Sequence, residues 1–156
     1  MRNYVRSIVL LLALGLSEPV LAGPLEDANA AYQKQDYTAA LRLLRSLAAQ
    51  GDAVAQTTLG FMYQHGLGVP QDYAQAAKWY RLAADQGVAF AQFNLGVMYR
   101  NGQGVPQDYA TAHMWWNLAA AKGHAPAIKN RDIVAAKMTP AQLAESQKLA
   151  REWKQK

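Results

Sequence analysis

Apolar and polar positions follow a helical period along this chain, and the whole pattern returns at intervals of 36 residues. The stretch QDYAQAAKWYRLAADQG over 71–87 recurs as QDYATAHMWWNLAAAKG over 107–123 and, more faintly, as QDYTAALRLLRSLAAQG over 35–51. In front of each full copy lies a second amphipathic segment. There Ala55, Leu59, Met62 and Tyr63 fall at i, i+4, i+7 and i+8, one face of a 3.6-residue period, and Ala91, Leu95, Met98 and Tyr99 repeat it. The later segments carry small residues (Ala76 with Ala77, then Ala112) followed by the large pairs Trp79-Tyr80 and Trp115-Trp116, assigned to interhelix packing. Such a pattern predicts an all-α protein: an α-solenoid of antiparallel helix pairs, in which no unit buries its apolar face alone.

The connecting segments HGLGVPQD and NGQGVPQD are matched to that task. Gly66 and Gly102 can end the first helix in a left-handed conformation, and Pro70 and Pro106 prevent its continuation. Asp72 and Asp108 are placed to cap the second helix, with Gln75 at capping-box spacing after Asp72. Gly60 and Gly96 lie inside helices, where glycine costs about 1 kcal/mol relative to alanine, which points to close helix crossings.

On these residues the chain resembles the Sel1-like repeats, relatives of the tetratricopeptide repeat. Their signature has an A-x-x-x-L-G-x-x-Y stretch, a G-x-G-V-x-x-D loop and an AA-x-x-G ending, and both full copies carry all three. The resemblance implies a right-handed superhelix whose first helices line the concave surface. It divides 23–156, a single repeat domain, into a tetratricopeptide-like hairpin (23–50) whose loop lacks the glycines, full repeats at 51–86 and 87–122, and a C-terminal capping hairpin (123–156). Thr139-Pro140-Ala141-Gln142 opens the last of eight expected helices with a capping box and a proline at the first helical position. Leu143, Ser146, Ala150 and Trp153 give that helix a less polar face to lay on the preceding hairpin.

Residues 1–22 read as an export signal: Arg2 and Arg6 precede an apolar run from Ile8 to Leu16, and Val20-Leu21-Ala22 offers a cleavage site. The run is shorter than the ~20 residues of a spanning helix, so no stable membrane span is expected after cleavage. A periplasmic or secreted destination follows. With 51% hydrophobic residues among 156 the chain should fold, and with no cysteine its packing must supply the stability. Of the formal net charge of +5, the balance is uneven: 122–156 holds eight basic and three acidic residues. That basic end could touch an anionic surface, or form the polar cap a solenoid end needs.

Catalytic chemistry finds little support. The three histidines, His65, His113 and His124, share no metal-ligand spacing. The G-x-G segments do not extend to G-x-G-x-x-G and no G-K-[ST] occurs, so no cofactor is expected. Some cysteine-rich secreted relatives of the Sel1 family are assigned penicillin binding or β-lactam hydrolysis, but this chain has neither those cysteines nor an S-x-x-K sequence. Basic residues are not interleaved with aromatics along one groove, which disfavours nucleic acid. Protein binding, as adaptor, scaffold or regulator in the cell envelope, is the leading expectation, with a cell-wall hydrolase or a peptidoglycan or anionic-surface binder behind it.

Where equivalent positions differ between repeats, a partner surface is expected. Opposite Ala55 and Leu59 the first helix carries Val54, Thr57, Phe61 and Gln64, and its counterpart carries Phe90, Phe93, Val97 and Arg100. The resemblance places these residues in the concave groove. Phe90, Phe93 and Arg100 are the expected anchors for another envelope or secreted protein, since aromatic and arginine side chains dominate interfaces.

Overall fold

The computed structural model describes residues 23–155. The export signal expected at 1–22 lies outside them. Among the described residues there are eight helices and no strand. They are α1 (Pro24–Gln33), α2 (Tyr37–Ala49), α3 (Ala53–His65), α4 (Tyr73–Asp85), α5 (Ala89–Asn101), α6 (Tyr109–Ala121), α7 (Ala125–Ala135) and α8 (Pro140–Glu152). None is long and apolar enough to cross a membrane.

Helices α1 and α2, α3 and α4, and α5 and α6 form three hairpins that stack in chain order. The fourth pair differs, because α7 and α8 both pack on α6 rather than chiefly on each other. The chain turns where expected. Gly66 and Gly102 sit at φ 66° and 68°, the left-handed caps of α3 and α5. Asp72 caps α4 by accepting from Gln75 N, and Asp108 caps α6 by accepting from Ala110 N and Thr111 N. The reciprocal half of a capping box at Gln75 does not form, since the Asp72 N–H is already donated to Tyr63 O. At α8 the box forms in full between Thr139 and Gln142.

The interior glycines are seats for aromatic rings. A Cβ on Gly60 would stand 2.7 Å from the Tyr80 ring, and one on Gly96 would stand 2.5 Å from Trp116 Nε1. Tyr80 and Trp116 are therefore the equivalent core positions, both wholly buried. Trp79 meets its expected packing role only in part, lying against the core shared by α1, α2 and α3. It is only half-buried, with Lys78 near its ring, whereas the equivalent Trp115 is buried between Arg81, 5.1 Å from the ring centre, and Trp153, 6.3 Å away edge-on. The difference is α8, which covers Trp115 and has no counterpart over Trp79.

Inter-repeat hydrogen bonds recur with the period. Gln56 Nε2 donates to Ala48 O and Gln92 Nε2 to Ala84 O, each at 3.1 Å, binding a first helix to the end of the preceding hairpin. Gln86 Nε2 donates to Gly51 O at 3.0 Å, and Lys122 Nζ makes the equivalent bond to Gly87 O. Both glutamines are buried, so these bonds satisfy groups that would otherwise be costly to desolvate.

All three histidines are held below the ordinary value of 6.5, chiefly by burial, with Arg131 adding to the effect at His113. The unfolded chain therefore takes up these protons first as pH falls. Stability is full above about pH 6.5 and is lost as pH falls from there through the lowered folded values. Thermal melts should show a lower midpoint at pH 5 than at pH 7.5. Equal midpoints would contradict this account.

Candidate functional site

The residues expected to line a groove do not form one exposed face. Thr57 and Phe61 are buried, Phe61 at 7% exposure. An inner first helix has neighbours on several sides: α3 touches α2, α4 and α5, so every residue over 55–62 is buried. The Thr57 hydroxyl donates to Ala53 O at 2.7 Å, and Phe61 joins the core shared by α4 and α5. Gln64 is engaged as well, accepting from the Tyr80 hydroxyl at 2.8 Å. Val54 alone of that set is exposed.

On α5, Phe90 is half-buried against the central core, and Phe93 and Val97 pack on the cluster built by α6 and α7. The Phe93 ring lies 4.9 Å from that of His124, and its carbonyl accepts from Trp116 Nε1 at 3.0 Å. These two phenylalanines are seams between repeats rather than free anchors. A Phe93→Asp substitution would place a carboxylate in that seam and destabilise the fold, where a free anchor on an exposed face would have tolerated it.

Arg100 is different. It occupies the repeat position of Gln64, and Trp116 occupies that of Tyr80. With no phenolic hydroxyl to bond, the guanidinium instead lies over the Trp116 ring, 5.9 Å from its centre, and Arg100 Nε donates to Asn101 Oδ1 at 3.0 Å. Beside it opens a cleft of about 590 Å³ between the loop after α5, the start of α6 and the end of α7. Gln103, Gln107, Tyr109, Ile133 and Lys137 contribute to its walls, and among the described residues no acidic side chain does. Pattern reasoning missed this site because its far wall comes from α7, beyond the full repeats. The unlike pairs Gln64–Tyr80 and Arg100–Trp116 were the signal available.

Among the described residues one serine–histidine contact exists, between Ser146 and His113, but the serine is 1% exposed and no substrate can reach it. It fastens α8 to α6. Among the described residues no group of three or more His, Cys, Asp or Glu is placed to hold a metal ion.

The model of the Sel1 repeat matches residues 29–52, 53–88 and 89–124, thereby including the first hairpin despite its short loop. Among solved structures, a protective antigen present in uropathogenic Escherichia coli strains, displaying an SLR fold, is 34% identical with a TM-score of 0.78, over 84% of this chain and 30% of its own. A Sel1 repeat protein from Oxalobacter formigenes is 34% identical with a TM-score of 0.67, over 70% of this chain and 45% of its own. This chain thus spans less than half the length of either. A comparison with curated proteins finds no match. Three matched repeats across most of the chain, folded as stacked hairpins with their glycine seats filled by aromatic rings, make it a member of the Sel1 repeat family.

Proposed function

We propose that this chain is an exported interaction scaffold that holds another envelope or secreted protein, or a peptide segment of one, as adaptor or regulator. The observation that carries the reading is how the two full repeats divide their residues. Positions shared between them are consumed by glycine seats, caps and inter-repeat bonds, while the divergent Arg100, resting on buried Trp116, borders an open polar cleft. A rigid array of hairpins that offers a cleft without reachable catalytic groups is suited to holding a partner.

The export half is tested by mass analysis of the chain from fractionated cells. A mature terminus at Gly23 in the envelope or medium is expected, and an intact Met1 in the cytosol would refute it. The binding half is tested with a photo-crosslinker in living cells: at Gln103 it should yield a discrete adduct, and at the exposed Lys78 on α4 it should not. Adducts of equal yield at both positions would remove the assignment.

An anionic-surface role has one observation in its favour, the exposed Lys148, Arg151 and Lys154 spaced along α8 and its end. Truncation from Lys148 would also remove Trp153, which covers Trp115. Charge reversal of these residues is the cleaner test, and salt-insensitive retention on peptidoglycan would contradict the role.

A further inference from the structure

We infer that the cleft between α5, α6 and α7 binds an extended acidic peptide segment, one whose Asp or Glu side chain is flanked by an aliphatic residue; this rests on the scaffold reading and names the chemistry of the partner. Two cations border the cleft with no acid among its walls. The nearby acid on α7, Asp132, is already paired with Arg131 at 2.8 Å. Arg100 is held from behind: its Nε donates to Asn101 Oδ1 and its plane rests near Trp116, and among the described residues neither terminal nitrogen has a partner. That arrangement presents a preorganised fork to a carboxylate. Lys137 also lines the cleft, and its ammonium has no hydrogen bond or ion pair among the described residues.

The amide side chains suit a peptide backbone. Gln103 uses its carbonyl oxygen to accept from Asn101 Nδ2 at 3.1 Å, so its NH2 remains a free donor. Gln107 uses its NH2 to donate to Arg100 O at 2.8 Å, so its oxygen remains a free acceptor. A peptide unit offers one of each. Ile133, 45% exposed, supplies an apolar wall for the flanking aliphatic side chain. A phosphate group fits less well. Its usual helix-terminal donors are taken at α6, where Asp108 already accepts from Ala110 N and Thr111 N.

The test begins with phage-displayed random decapeptides selected on the purified full chain. Selected sequences are expected to carry Asp or Glu next to Ile, Leu or Val. The best one, synthesised, should lose affinity about tenfold on Arg100→Gln, about tenfold on Lys137→Gln, and about tenfold when its acidic residue is replaced by the amide. Both variants should fold. Arg100→Gln restores the residue type found at Gln64, Lys137 is exposed, and thermal melts verify each. A millimolar excess of inorganic phosphate should not displace the peptide. Selected peptides without acidic residues, affinity indifferent to both substitutions, or displacement by phosphate would overturn the assignment while leaving the scaffold reading in place. Failure to select any sequence would overturn both.

Discussion

Trp116→Ala is expected to cost about 3–5 kcal/mol, the range for deleting a large buried aromatic. That is a large share of the about 5–15 kcal/mol that holds a domain together, so the variant should melt far below the parent or aggregate. The site explains the size. Trp116 is wholly buried, its ring rests on Gly96, its Nε1 donates to Phe93 O, and it supports Arg100 at the cleft. Removing it opens a cavity at the α5–α6 crossing and takes away the side-chain hydrogen bond that the Phe93 carbonyl accepts in addition to its helical one. Trp116→Tyr should be far milder, because Tyr80 fills the same seat over Gly60 one repeat earlier. Circular dichroism during thermal and urea denaturation separates the two variants. A parental midpoint for the alanine variant would show that the Gly96–Trp116 crossing does not hold the hairpin.

Gly104→Ala should come next. A Cβ there would sit 2.2 Å from Tyr73 O in the preceding hairpin, against backbone that has no rotamer by which to yield. Overpacking of that kind costs about 1–3 kcal/mol. The residue also stands at φ 69°, where a side chain adds about 1–2 kcal/mol. Gly102→Ala is the control: at φ 68° it shares the conformational cost, but its Cβ would be 3.4 Å from Gln107 Cβ and meets no backbone of another repeat. The difference between the two melting midpoints isolates the stacking contact. If the two substitutions cost the same, the loop does not act as a spacer between repeats.

The repeat period, the caps at Asp72 and Asp108, and the glycine crossings were readable because each depends on residues close in sequence or copied between units. So was the apolar face of α8, where Ser146 is indeed buried and Leu143, Ala150 and Trp153 are half-buried. Thr57 and Phe61 misled for a physical reason. A helical wheel supposes one dry side and one wet side, yet an inner helix of a stack is covered by the hairpin before it and the hairpin after it. Phe93 and Val97 repeat the lesson one unit later. The burial of Trp115, and not of Trp79, was hidden because it depends on where a helix that begins 25 residues downstream, at Pro140, comes to rest. The inward glutamines could have been found. Gln56 and Gln92 occur after alanine in both copies, and a polar residue repeated on a core-facing helix signals an internal bond.

The two ends of the array should not come apart alike. At the amino end, α1 contacts chiefly α2, so that hairpin can peel from the rest as a unit of its own. At the other end α8 lies on α6, Gln155 Nε2 reaches Gln86 O at 2.8 Å, and Lys122 bonds Gly87 O. Fraying there has to break contacts with the third hairpin together with the bonds to the second. A chain that would otherwise unzip link by link is thereby made to open from one side, with its cleft in the portion that lets go last.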